Sequence, residues 1–288
     1  MERFNDLQKF GNILVCVDGS DYMEPTIQHA CWLGQRVEAD ELIVAHISDT
    51  GQYQVPFVNE LGAGIGLQPC NGLFGEIQKQ EQERLEELST RVKTVFQDTV
   101  FSDRYQFGIW SGRPIDVLSS PKVTYSHVVF GKRGDSFSDR KDHLGSNIEK
   151  YLKAVTVPCM LSSRAYHTIS DIAILCTSDS DWYSVMKFFL QYPGLHSLNF
   201  HLLYSWKDSM PSGMKEAVNE LASLRVAYTS TDLGKDFEKP LVEYITREKC
   251  GLLATGAFHK KGFLGKSLPP ISPSIVKHCR IPIMICRG

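Results

Sequence analysis

HVVFGKRGDSFSDRKDHLGS, residues 127–146, is the stretch whose reading decides the fold. His127-Val128-Val129-Phe130 suits a buried parallel strand. The chain then breaks at Gly131-Lys132-Arg133-Gly134, crosses a polar loop and reaches Gly145-Ser146. A helical pattern follows at once, Asn147-Ile148-Glu149-Lys150-Tyr151-Leu152. A strand that feeds a glycine-bearing loop and a helix start can bind an anion. Glycine lets backbone approach a phosphate closely, and a helix N-terminus presents unpaired N–H groups at the positive end of its dipole. Lys132 and Arg133 are expected to add mobile positive charge at the lip. Two glycines and a Gly-Ser suit a surface loop with a serine helix cap equally well, so the choice rests on the flanking chain.

Upstream, Asn12-Ile13-Leu14-Val15-Cys16-Val17 is an apolar run suited to a strand covered on both faces. Asp18-Gly19-Ser20-Asp21 punctuates it, residues 23–37 carry an amphipathic helical pattern, and residues 42–47 form a second buried strand. Strand, helix, strand predicts a right-handed parallel crossover. Residues 48–73, rich in Gly, Pro and Gln, read as a long loop. A polar helix over 74–98, a strand over 106–110, a short helix from Gly112-Arg113-Pro114 through Leu118, the opening stretch with its helix to Ala154, and a strand over 157–161 complete the first half. After a polar linker, 162–170, the order restarts. Strands are expected at 172–176, 198–203, 225–228, 251–256 and 280–286, with helices at 182–190, 214–224, 237–249 and 274–279. The endings KAVTVPCML (153–161) and KHCRIPIMI (277–285) align residue for residue. Two copies of one α/β domain are therefore expected, at 1–163 and 171–288.

Composition narrows the function classes. With 288 residues, 42% hydrophobic and 22% charged, the chain reads as a soluble globular protein. A net charge of -2 offers no general attraction to nucleic acid or to an anionic membrane. No segment approaches the roughly 20 apolar residues of a membrane span, and Met1-Glu2-Arg3-Phe4 does not open a signal peptide. A cytoplasmic location is expected. The eight cysteines form no Cys-x-x-Cys pair and the nine histidines no ligand-spaced cluster, so buried thiols and no dedicated metal site are expected.

These features together resemble a tandem universal stress protein, two domains of that family in one chain. Residues 13–20 (ILVCVDGS), the strand end Ala45-His46-Ile47 and the Gly112-x-Pro114 turn carry the likeness. Most specific is the family's nucleotide signature, Gly-x2-Gly-x9-Gly-(Ser/Thr), matched by Gly131, Gly134, Gly145 and Ser146, although residues 135–144 make a spacer of ten rather than nine. The resemblance implies two doubly wound domains, each a five-stranded parallel sheet with helices on both faces, of the adenine nucleotide alpha hydrolase-like kind. Its ligand would lie at the carboxyl ends of the strands. It further implies ATP with Mg held near Asp18, Gly19 and Ser20, with Ile47 lining the adenine pocket. Gly131, Lys132, Arg133, Gly134, Gly145, Ser146 and Asn147 would lie around ribose and phosphates. Asp18 also suits a helix cap, and Ile47 plain core.

In the second half Ser178 stands at the Asp18 position, His259 replaces the second motif glycine, and Pro269-Pro270 replace Gly-Ser. Proline has no N–H to donate, so this half is expected to be a degenerate structural partner. Val157–Leu161 and Ile281–Cys286 are expected to pair as the last strands of an intramolecular pseudo-dimer, removing two edges; a further homodimer is left open. Two alternatives stand beside the adenine-nucleotide-binding stress protein. One is an interaction module without nucleotide, favoured by the extra spacer residue and by Asp135, Asp139 and Asp142. The other, an adenine-nucleotide hydrolase, is disfavoured because no base lies at a spacing that would activate Ser146. At most slow ATP hydrolysis is expected.

Overall fold

The apolar runs of the sequence become one twisted sheet. The computed structural model describes residues 11–48, 71–118, 124–132, 152, 155–176, 179–205, 212–256 and 273–286. The first half contributes β1 (Ile13–Val17), α1 (Met23–Arg36), β2 (Leu42–Ser48), α2 (Asn71–Gln97), β3 (Tyr105–Ser111), α3 (Pro114–Leu118), β4 (His127–Gly131) and β5 (Cys159–Ser162). The second contributes β6 (Asp171–Cys176), α4 (Asp179–Gln191), a 3-10 turn (Pro193–Leu195), β7 (Asn199–Tyr204), α5 (Ser212–Ser223), β8 (Tyr228–Asp232), α6 (Glu238–Arg247), β9 (Leu252–Gly256), α7 (Pro273–His278) and β10 (Ile283–Cys286).

Among the described residues ten strands lie in the order β3-β2-β1-β4-β5-β10-β9-β6-β7-β8. Read inward from either edge, the two halves have the same order. All neighbours are parallel except β5 and β10, which run antiparallel with Leu161 opposite Ile283, Met160 opposite Met284 and Cys159 opposite Ile285. Met160 and Met284 occupy equivalent places in the aligned endings, so the local two-fold passes between them. This is the self-complementary geometry of a two-fold interface, made within one chain.

Period-2 alternation divides the strand residues between two cores. Ile13, Val15, Leu42, Val44, Val129 and Met160 face one layer with α1 and α2, continuous with Ile174, Leu202 and Ala254 under α4 and α5. Leu14, Ala45, Val128, Phe130 and Leu161 face the other, continuous with Leu175, Leu253 and Ile285 against α6 and α7. Both cores cross the β5–β10 seam.

The expected strand at 225–228 lies later, at Tyr228–Asp232. Arg225 has φ 57°, and Val226 N–H bonds Leu221 O at 2.9 Å. A left-handed residue therefore closes α5 before the strand can begin. The strand's residues are mostly exposed at the sheet edge, so no apolar run announces it. The long helix α2 begins at Asn71, three residues earlier than its apolar stripe suggests.

Candidate functional site

In the order β2-β1-β4 the chain leaves β1 toward one neighbour and returns to pair on its other side. The carboxyl ends of β1 and β4 flank this topological switch point, where open α/β sheets bind their ligands. Cys16 pairs with Phe130; Gly131 is the next and last residue of β4, and Asp18 directly follows Val17, the last residue of β1. Of the residues expected at the site, Asp18, Gly19, Ser20, Ile47, Gly131 and Lys132 are described. Arg133, Gly134, Gly145, Ser146 and Asn147 lie outside the described residues.

The loop after β1 is tightly built. Asp18 Oδ1 accepts from Ser20 N–H at 3.1 Å, Gly19 takes φ 83°, and Ser20 Oγ accepts from Tyr22 N–H at 3.3 Å. A carboxylate that ties down its own loop in this way is an Asx turn. It is not the cap of α1, which begins after Tyr22 with no side-chain cap bond. His46 Nδ1 donates to Val17 O at 3.0 Å and so locks the ends of β1 and β2 together; a carbonyl only accepts, so Nδ1 carries the proton.

Ile47 is half-buried at the end of β2, opposite Trp110 on β3. Cys16, Ile47 and Trp110 are partly buried and each packs against the core on the α6–α7 side, giving the switch point an apolar flank. A Cβ at Gly108 would stand 3.1 Å from Trp110 Nε1, so the missing side chain leaves the indole room to fold back along its strand. Sequence reasoning passed over Trp110. Its signal was the Gly-x-Trp spacing, which puts glycine and indole on one face of β3.

From the opposite face α2 covers the loop. Arg91 Nη1 donates to Gly19 O at 3.0 Å and Arg84 Nη2 to Asp18 O at 3.4 Å. Arg91 also faces Glu24 at 3.6 Å. These arginines stand seven residues apart, two helical turns, on one face of α2. They too were missed, because a charged stripe on a polar helix usually faces only solvent.

Lys132 departs from its expected place. It is only 6% exposed rather than mobile at the lip, and its Nζ donates to Cys279 O at 2.8 Å and to Ile281 O. The ammonium thus crosses the seam and satisfies two carbonyls between α7 and β10. A four-carbon stem leaving the end of β4 spans that distance, and two carbonyl acceptors offset part of the cost of burying the charge.

Among the described residues no group of three His, Cys, Asp or Glu could hold a metal ion, and no helix is long and apolar enough to cross a membrane. Seven described cysteines are free thiols. Burial pushes Cys16 and Cys250 up to about 12, so neither is primed as a nucleophile.

Comparison with known proteins agrees with this architecture. Universal stress protein Slr1230 of Synechocystis sp. is 23% identical over 290 residues, covering 96% of this chain and 99% of that protein. A universal stress protein structure from Archaeoglobus fulgidus superposes with a TM-score of 0.65 at 12% identity, over 96% of each chain. A protein of unknown function from Pseudomonas aeruginosa PAO1 superposes at 0.58 with 9% identity, over 98% of this chain and 94% of its own. At those identities the structures speak for the fold alone. The model of the universal stress protein family matches residues 9–162, more than half of the chain, and the chain belongs to the universal stress protein family.

Proposed function

We propose that this universal stress protein works in the cytoplasm and binds an adenine nucleotide, ATP with Mg, in its N-terminal domain (1–163). The C-terminal domain (171–288) acts as a structural partner. One observation carries the reading. Asp18 and Gly131 stand at the carboxyl ends of adjacent strands at the switch point, with Ile47 and Trp110 as an apolar flank for a base. The backbone of the Gly131–Ser146 motif would receive the phosphates, as glycines and a helix start can. Arg133, Gly134, Gly145, Ser146 and Asn147 are assigned to that task on sequence. Lys132 is not, because its ammonium is committed to the seam.

Titration of Mg·ATP into the protein by calorimetry tests the reading. Saturable binding at one site per chain is expected, weakened about tenfold or more by Asp18→Asn and by Trp110→Ala. A tenfold loss corresponds to about 1.4 kcal/mol. Absence of binding in the parent would favour the second reading, an interaction module without nucleotide, for which the diversion of Lys132 away from the lip is the specific support.

A further inference from the structure

A cleft of about 620 Å³ opens at the seam, on the side of α6 and α7, between the linker after β5, the end of α6 and the turn from α7 into β10. Sites for small organic ligands run from roughly 300 to 1,000 Å³. The apolar wall is made by Val242 and Ile245, and the polar lining includes His167, Lys249, His278 and Arg280. None of its described lining residues carries a carboxylate. In a chain of net charge -2 this is a local excess of positive charge rather than a general one.

The walls are fixed. Lys249 sits at φ 54°, followed by Cys250 N–H to Ile245 O at 3.0 Å and Gly251 N–H to Asp171 O at 2.8 Å. On the opposite wall, Cys279 and Ile281 are held from behind by Lys132 Nζ. The acidic neighbour in sequence, Glu248, is engaged by Arg247 at 2.8 Å. Basic residues commonly complement the negative ends of helices, which would explain those that follow α6 and α7. His167 belongs to neither helix and brings a polar imidazole to the linker's side of the cleft.

We infer that this cleft is a second ligand site, separate from the switch point, for a small organic anion: a phosphate or carboxylate group between Lys249 and Arg280 with its apolar body on Val242 and Ile245.

Phenyl phosphate, inorganic phosphate and phenol are the probes, titrated into the full chain by calorimetry and by amide chemical shifts at Gly251 and Ile281. Phenyl phosphate is expected to bind saturably, at least tenfold tighter than either fragment-like competitor. Lys249→Gln combined with Arg280→Gln should weaken it tenfold or more, and Lys249→Arg should retain it. Both positions are exposed, so an unchanged thermal midpoint would show that the fold is kept. The Gly145→Glu, Ser146→Glu variant should bind phenyl phosphate as the parent does. Three results would overturn the inference: no saturable binding, binding unchanged in the Lys249/Arg280 variant, or binding lost in the Gly145/Ser146 variant instead. Equal affinity for inorganic phosphate would remove the apolar part of the assignment.

Discussion

Single residues pin the seam. A Cβ at Gly194 would stand 2.4 Å from Arg36 O, and Arg36 Nη1 reaches back to donate to Gly194 O at 2.9 Å. Only glycine allows that approach, so Gly194→Ala should cost about 2–3 kcal/mol through overpacking, read as a lowered denaturant midpoint with the slope unchanged. Two histidines are buried at the same junction. His29 Nδ1 donates to Pro25 O at 2.6 Å and lies 2.9 Å from Ser162 Oγ at the end of β5. His127 lies against Phe188, with Ser126 Oγ at 2.8 Å and Tyr192 OH at 3.3 Å. Burial lowers both to about 4 from 6.5. A base whose folded value is depressed binds its proton more readily in the unfolded chain. Stability from this source is therefore full above pH 6.5 and falls on acidification toward pH 4, by up to about 1.4 kcal/mol per pH unit per histidine. Denaturant unfolding between pH 7 and 4 should show this slope, and a His29→Gln, His127→Gln variant should flatten it. An equally steep slope in that variant would assign the acid sensitivity elsewhere.

At the scale of elements, Lys132 is the strut between the motif strand and the partner half. Lys132→Met leaves the carbonyls of Cys279 and Ile281 without their ammonium donor, and a loss of about 2–4 kcal/mol is expected, measured by chemical denaturation. A neutral result would mean that water replaces the ammonium at no cost. This residue also shows what a sequence conceals. The strands over 13–17, 42–48 and 127–131 were legible because parallel strands covered on both faces read as continuous apolar runs. The aligned endings foretold β5 and β10, whose boundaries coincide in the repeat. Edge strand β8 was displaced because solvent on its exposed side removes the apolar signal. The direction of a lysine side chain depends on acceptors some 150 positions away in sequence, and no local pattern encodes that. Trp110 and Arg91 enter the candidate site only because β3 and α2 fold over it, whereas Asp18 and Gly131 were legible as punctuation at strand ends.

At the largest scale, among the described residues one ten-stranded sheet and two cores run continuously through the β5–β10 pairing and join the halves by buried apolar contact. The two halves should unfold together. Calorimetry is expected to give one transition with calorimetric and van't Hoff enthalpies in agreement, whereas two resolved transitions would show that the seam couples them weakly. The same coupling carries ligand stabilisation from the N-terminal half to the full chain. Thermal unfolding with and without millimolar Mg·ATP, beside the Gly145→Glu, Ser146→Glu variant, therefore tests the central claim most directly. A ligand at about 100 times its dissociation constant adds ~2.7 kcal/mol to the folded state, enough to raise the midpoint of a chain this size by a few degrees. The account predicts that rise in the parent and its loss in the variant; no rise in the parent, or the same rise in both, would contradict it.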